Sequence, residues 1–463
     1  MKKAFRWRVV IFTMSLGIIS GSASHVLAQA DPAPQSSPDI ASRIDSLEKQ
    51  LADLKSQMEA QKAAAAAPAP SAAPAPAAAA VPAAAAVPAA APAPTGLAGL
   101  LGPTTLSGFV DVYYGYNSNQ PANRTTALRN FDINSSQFAL NMLELVADKA
   151  PDATASRVGY HIALGFGQAM NLVNAGEFAS PNLPGTPVGG PPSTITNFDQ
   201  YLKEGYLEYL APVGKGLQIN VGKFVTPAGA EVIETKDNWN YSRGLLFSWA
   251  IPYFHFGVSG KYAFNSKFAL TGYLMNGWNN SVDNNSGKTT GFTAAWTPNP
   301  KFSLIENYLV GPEQADDNSD FRHLTDTVVT YSPNAKLSLM ANYDYGHDRV
   351  LAPSSGLPTA TAPVWWTGLA GYIKYAPNAT WAIATRGEWF KDHNGFSTGT
   401  AQNVGEFTIT LQRMLASKII SRLEFRRDMS DENVFPYHTG QFRGSQNTVT
   451  AGLIYAFTSA DAK

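Results

Sequence analysis

The feature that most constrains this chain is a strand-like alternation of apolar and polar residues, repeated about sixteen times from residue 105 onward. Between Arg157 and Gly167, every second residue is apolar, and the residues between them are small or polar. A β-strand places two such sets on opposite faces. The connections between these segments are alternately long and short. A soluble sandwich does not require this asymmetry, whereas transmembrane barrels have short periplasmic turns and long external loops.

The alternation and the loop asymmetry together predict an all-β transmembrane barrel, antiparallel and up-and-down. It has about 16 strands, with 18 possible, and residues 242–250 could form a strand of their own. An even number of strands places both chain termini in the periplasm. The predicted strands are 106–117, 137–148, 156–169, 199–211, 217–227, 253–264, 268–277, 288–296, 302–311, 322–332, 336–347, 364–375, 380–391, 402–413, 418–428 and 445–457.

Composition agrees with a barrel and argues against other classes of protein. Charged residues make up 15% of the chain and the formal net charge is −1, so the basic surface typical of nucleic-acid-binding proteins is not expected. No stretch of ~18 apolar residues is present, which argues against a transmembrane helix. The sequence has no cysteine, which excludes disulfides and thiolate metal sites.

Three segments precede the predicted barrel of residues 105–463. Residues 1–30 have the pattern of a secretory signal peptide, with a basic start, an apolar core and an Ala28-Gln29-Ala30 cleavage site. Cleavage after Ala28 is a second option, and the apolar run is too short for the alternative of an uncleaved anchor helix. Residues 63–104 are rich in Ala and Pro and predict a semi-extended linker.

Residues 31–62 contain three heptads that predict a periplasmic coiled coil. Apolar residues recur there at spacings of four and three, as the seam of a coiled coil requires. These residues are Ile40, Ile44, Leu47, Leu51, Leu54 and Met58. The seam predicts a homo-oligomer, and analogy with general porins predicts a trimer. The alternative is one amphipathic helix that lies on another surface.

Candidate pore-lining residues come from the polar faces of two predicted strands. Strand 418–428 carries Arg422, Glu424 and Arg426 on one face, and strand 380–391 adds Arg386 and Glu388. Charges inside a narrow water-filled pore select among solutes. We therefore expect these arginines to face water on one wall of the lumen. The alternative is that the charges pair with each other and fill the lumen.

The third long connection, residues 228–252, contains Glu231, Glu234 and Asp237. The third external loop of porins often folds into the lumen. Folded inward here, the three acids would face the arginines and produce a transverse field at a constriction. The alternative is a solvated external loop.

Features of an enzyme or a cofactor-binding protein are missing from the sequence. The seven histidines are scattered and have neither a local nucleophile nor metal-ligand spacing. There is no HExxH motif, nucleophile elbow or phosphate-binding glycine loop. We therefore predict neither catalysis nor a cofactor nor a metal site.

The carboxyl end of the chain carries a pattern associated with outer-membrane insertion. The last predicted strand ends with Gly452, Tyr455 and Phe457, an arrangement that resembles the signal read by the outer-membrane assembly machinery. Six residues follow the final aromatic, which is unusual. The partners predicted for the barrel are therefore outer-membrane lipid, that machinery and small hydrophilic solutes.

Several short motifs resemble the OmpL-like putative β-barrel porin-2 family over roughly residues 106–457. They are Val221-Gly222-Lys223-Phe224 leading into Glu231, Asn240-Tyr241-Ser242-Arg243, Ala250-Ile251-Pro252-Tyr253 with Gly257, and Asn276-Gly277-Trp278. The resemblance implies a bacterial outer-membrane barrel with diffusion-pore activity and leaves the solute open. The alternative function is a structural or adhesion barrel, tethered through its periplasmic arm and without significant transport.

Overall fold

The computed structural model describes residues 102–175, 200–351 and 361–459. The predicted signal peptide and coiled coil lie outside the described residues, and so does the linker up to residue 101. No helix within the described ranges is long and apolar enough to cross a membrane.

Sixteen antiparallel strands close into one barrel, and β16 and β17 form a separate hairpin in the last long loop. In the barrel, β1 pairs with β18 and with β2, which closes the ring. The strands are β1 (Thr105–Asn117), β2 (Gln137–Lys149), β3 (Val158–Phe166), β4 (Leu202–Ala211), β5 (Leu217–Val225), β6 (Phe254–Asn265), β7 (Phe268–Met275), β8 (Thr289–Asn299), β9 (Phe302–Pro312), β10 (Phe321–Asn334), β11 (Leu337–Leu351), β12 (Thr361–Tyr375), β13 (Trp381–Asp392), β14 (Gln402–Leu415), β15 (Ile419–Ser430), β16 (Phe435–Tyr437), β17 (Gln441–Arg443) and β18 (Ser445–Thr458).

This architecture confirms the predicted fold class, and each of the sixteen predicted strands overlaps a barrel strand. The suggestion of 18 barrel strands is wrong, because the closed barrel has sixteen. Residues 242–250 hold a short helix, α2 (Leu245–Trp249), instead of a strand. Its residues Leu245, Leu246 and Phe247 are all buried. A segment surrounded by protein inside a barrel has no reason to alternate, so the rule that located the wall strands does not apply to it.

Several tight turns at one end of the barrel share the same side-chain chemistry. Asn265 Oδ1 accepts hydrogen bonds from the backbone N–H groups of Lys267 and Phe268, at 2.8 and 3.0 Å. Asn334 and Asn378 make the equivalent pairs of bonds in their own turns. Asparagine stabilises turns in this way because its side chain reaches the backbone two residues on. We call this the short-turn end and the opposite one the long-loop end.

Two long loops and a helix pack inside the barrel. Loop 1 (118–136) follows β1, and loop 3 (226–253) lies between β5 and β6, while α1 (Gln168–Val173) begins the loop after β3. The ring of Phe131 in loop 1 contacts Phe247 and Tyr253 of loop 3, at centroid distances of 5.7 and 5.6 Å. The apolar core therefore lies within the lumen and joins the loops to each other.

Candidate functional site in the barrel lumen

The candidate residues of β13 and β15 all point into the lumen. The register places Arg386 opposite Thr408, and Glu424 opposite Thr410, on the inward face of β14. We call Arg386, Arg422 and Arg426 the arginine wall. Their exposures are 0%, 4% and 1%, because loop 3 covers them. They lie on one side of the lumen but are covered by protein, whereas the sequence led us to expect side chains in water.

Each arginine of the wall is held by loop 3 or by a neighbouring carboxylate. Arg386 donates to Glu231 Oε1 at 2.7 Å and to Glu406 Oε1 at 2.8 Å. Arg426 donates to Asp428 Oδ1 at 2.7 Å and to the carbonyl of Arg243 at 2.7 Å. A buried charge is tolerated only when it is paired and hydrogen-bonded, and these bonds meet that requirement.

Arg422 is bound mainly by backbone oxygens rather than by an acid. Its guanidinium donates to the carbonyls of Thr235 and Asn238, both at 2.6 Å, and of Asn240 at 2.9 Å. Its Nε donates to Gln412 at 3.0 Å. This cluster of carbonyls fixes the 3₁₀ turn of loop 3 (Thr235–Asp237) against the wall.

The wall carboxylates receive backbone N–H groups of the same loop. Glu424 accepts bonds from the amides of Tyr241 and Ser242, at 2.6 and 3.0 Å. Glu388 accepts the amide of Leu245, at the start of α2. The wall thus carries donors and acceptors that together anchor one continuous stretch of loop 3.

The three predicted acids of loop 3 have different surroundings. Glu231 is buried against Arg386 and accepts the amide of Gly244 at 2.5 Å. Glu234 lies beside Lys203 of β4 instead of beside the arginine wall. Asp237 pairs with Lys236 at 2.5 Å, and its side chain is 54% exposed. The structure therefore brings Glu231 to the arginines but not Glu234 or Asp237.

Loop 1 contributes a buried ion pair that the sequence analysis missed. Arg129 donates Nε to Asp132 Oδ1 at 3.2 Å and Nη1 to Asp428 Oδ2 at 3.2 Å. Burial favours the neutral acid, but Arg129 outweighs it and holds the pKa of Asp132 below its ordinary value. An Arg–x–x–Asp spacing in a loop is too common to have been recognised as a signal.

A cavity of about 540 Å³ opens beside loop 3 at the short-turn end. Lys203 lies on it, 2.5 Å from Glu144 Oε1 and 3.3 Å from Glu204 Oε2. The imidazole of His161 lies 2.8 Å from Asp148. The charged groups that line the cavity are Glu144, His161, Lys203, Glu204, Glu234, Lys236 and Lys418. Acids and bases are mixed here, so a solute in this space meets both signs of charge.

Comparisons with known proteins were made on the whole chain. The model of the family described as "Putative beta-barrel porin-2, OmpL-like" matches residues 103–457, which spans the barrel from just before β1 to the end of β18. No curated protein matches the chain.

Solved structures of outer-membrane proteins are similar to the chain at low sequence identity. An anion-selective porin from Comamonas acidovorans has 10% identity and a TM-score of 0.49, over 76% of this chain and 99% of that one. The outer membrane channel DcaP of Acinetobacter baumannii has 13% identity and a TM-score of 0.49, over 76% of this chain and 97% of that one.

Proposed function

The chain belongs to the OmpL-like β-barrel porin-2 family and is an outer-membrane porin, and we propose that it is a passive diffusion channel for small hydrophilic solutes or ions. The observation that carries this proposal is the charged cavity of about 540 Å³ inside a closed barrel. Apolar cavities exclude water, whereas a polar cavity of this size holds many water molecules. Small hydrophilic solutes therefore find an aqueous environment within the barrel.

The constriction in this proposal is loop 3, and the arginine wall acts on solutes through that loop. Arg386, Arg422, Arg426, Glu388 and Glu424 bind loop 3 and fix how far it reaches across the lumen. Glu231 belongs to the same anchor. Glu234 and Asp237, with Lys236, lie on the part of the loop that remains open. Fixed charge on this open part biases which ions enter.

Conductance of the purified, folded chain in planar lipid bilayers tests the channel. We expect stepwise current increases as single barrels insert, and no steps from the same protein unfolded before addition. Insertion without current steps, verified by the heat-sensitive gel mobility of the folded barrel, would exclude diffusion through the lumen.

A structural or adhesion barrel is the second candidate, and the filling of the lumen favours it. Loops 1 and 3 share an apolar core inside the barrel, and Tyr241, Leu246 and Phe254 in or beside loop 3 are completely buried. A barrel tethered through its periplasmic arm has no need of an open lumen. Absence of conductance in the bilayer experiment would favour this function.

The membrane orientation and the assembly state are part of the proposal. Both ends of the barrel chain lie at the short-turn end, where Ser107 pairs with Thr458, and we place this end in the periplasm. A tag inserted near Gly356 is then accessible on intact cells, and a tag near Asn378 is not. We also propose a homotrimer, with insertion by the outer-membrane assembly machinery, after removal of a signal peptide.

A further inference from the structure

The short-turn end of the barrel carries a lysine at the same position in three successive hairpins. The turns of the β6–β7, β8–β9 and β10–β11 hairpins read Asn265-Ser266-Lys267, Asn299-Pro300-Lys301 and Asn334-Ala335-Lys336. In each turn the asparagine side chain accepts the backbone N–H of the lysine, at 2.8 or 2.9 Å. The same bond shapes each turn, so the three lysines occupy equivalent positions along the rim.

The strand register directs these lysines to the inner side of the rim. Trp296 is 45% exposed on the outward face of β8. The carbonyl of Lys267 accepts the amide of Thr297, the next residue of that strand, at 2.8 Å. Lys301 and Lys336 make the equivalent bond to the next hairpin, also at 2.8 Å. Since neighbouring residues of a strand point to opposite faces, Thr297 and the lysine opposite it lie on the lumen side.

Lys418 shows where this position leads. It is the equivalent residue of the β14–β15 hairpin, its carbonyl accepts the amide of Ala456 at 3.2 Å, and it lines the cavity of about 540 Å³. A further lysine, Lys261, stands on the inward face of β6 opposite Gln218. We call four of these residues the basic arc: Lys261, Lys267, Lys301 and Lys336.

The positive charge of the basic arc has no acid beside it. All four lysines are exposed, and none forms an ion pair with another described residue. The inward residues around them are small and neutral, such as Ala269, Thr297 and Ser332. Water and solutes therefore reach the ammonium groups from the lumen.

The turns at this end carry an excess of cations. The seven short turns between β2 and β15 all lie within the described ranges, and Asp152 is the one acid among them. The cations of the same turns are Arg157, Lys215, Lys267, Lys301, Lys336 and Lys418. A rim of one sign raises the local concentration of solutes of the opposite sign.

The acids that face the lumen near this end lie on another side, on β2 and β4, and have partners there. Lys203 lies 2.5 Å from Glu144 and 3.3 Å from Glu204. His161 lies 2.8 Å from Asp148. Glu208 is 7% exposed and accepts a bond from Gln218 at 3.2 Å. The exposed charge without a partner is thus the positive charge of β6–β11.

We propose that the basic arc is an entry site for small hydrophilic anions, so that the channel favours anionic solutes. The inference rests on the proposed diffusion channel and names the class of solute that it favours. Lysine attracts a carboxylate or phosphate group as a point charge on a flexible stem, so it accepts anions of different shapes. Neighbouring hairpins are about 10 Å apart, which is close to the Debye length of about 8 Å at physiological ionic strength. An anion at the mouth therefore feels more than one lysine.

Reversal potentials of the full chain in planar bilayers, under a gradient of potassium chloride, test the proposal. We expect the wild type to prefer chloride, and joint replacement of Lys267, Lys301 and Lys336 by Gln to lower the chloride-to-potassium permeability ratio severalfold. Thr380→Lys adds a lysine at the equivalent turn of the β12–β13 hairpin and should raise the ratio. The control is Lys215→Gln at the same end, where Nζ donates to the carbonyl of Phe264 at 2.6 Å, and it should leave the ratio unchanged.

The outcomes separate this inference from the channel itself. Current steps without chloride preference in the wild type, or with an unchanged ratio in the triple variant, overturn the assignment of the arc. Folded wild type without current steps excludes the channel and the inference with it. Every variant keeps the turn asparagines, and heat-sensitive gel mobility reports folding. If the triple variant does not fold, Thr380→Lys decides: a higher ratio supports the arc and an unchanged ratio overturns it.

Discussion

At the scale of single residues, paired charges anchor the loops inside the lumen, and loop 1 shows how such a pair depends on pH. Asp132 has a lowered pKa because Arg129 outweighs the effect of burial. A carboxyl whose pKa is lower in the folded state adds stability above its unfolded-state pKa of about 3.9. That stability is lost as the pH falls through the folded-state value.

We therefore expect loop 1 to stay anchored from neutral pH down to about pH 4 and to loosen only below it. Amide hydrogen exchange of residues 124–134, corrected for the intrinsic pH dependence, measures this opening. Asp132→Asn should show rapid exchange already at neutral pH, because it leaves Arg129 with one buried acid fewer. Asp317→Asn, in an exposed loop, is the control and should behave like the wild type. Equal protection in Asp132→Asn and the wild type would contradict this role.

Gly452 is a residue whose small size allows loop 3 to lie where it does. It lies on the inward face of β18, and a side chain there would overlap the ring of Tyr241. Tyr241 in turn donates its hydroxyl to Asp111 at 2.8 Å. Gly452→Leu should displace loop 3 and increase single-channel conductance, whereas Ala451→Leu, on the outward face, should leave it unchanged. Equal conductance in the two variants would mean that loop 3 does not limit the pore.

At the scale of elements, alternation located the strands well because each wall strand has one face on the lumen and one on lipid. The prediction of 402–413 for β14 begins at the observed first residue and ends two residues short of Leu415. The path of loop 3 could not be predicted in the same way. Arg422 binds three backbone carbonyls, and every residue offers a carbonyl, so sequence carries no signal for that choice.

The register of the strands makes a direct energetic prediction on β5. Val221 points to lipid, whereas Asn220 faces the lumen opposite Glu208. Val221→Lys should destabilise the barrel by about 2–4 kcal/mol if it lies near the bilayer midplane. Asn220→Lys should cost little, since the new ammonium faces an acid. Folding titration into lipid vesicles measures both values, and equal losses would reject the assignment of faces.

At the scale of the whole molecule, two sets of charges have different roles. One set fixes the position of loop 3, and the other lies at the open cavity. The arginine wall is buried and hydrogen-bonded to loop 3, so it determines where loop 3 lies. Glu234, Lys236 and Lys418 line the open cavity, and Asp237, which pairs with Lys236, has an exposed side chain. Only charges in contact with water act directly on passing ions, and their influence is screened over about 8 Å at physiological ionic strength.

We therefore expect the ion selectivity to depend on the second set, the charges at the open cavity. Replacing Lys236 and Lys418 by Gln should shift the reversal potential toward cation preference, and replacing Glu234 and Asp237 by their amides should shift it toward anion preference. Both shifts should shrink at 1 M salt, where the Debye length is about 3 Å.

Joint replacement of Arg386, Arg422 and Arg426 by Met should chiefly change the conductance, because loop 3 loses its anchors. A large selectivity shift from the arginine variant, with none from the other two, would show that the arginines line the conducting path themselves.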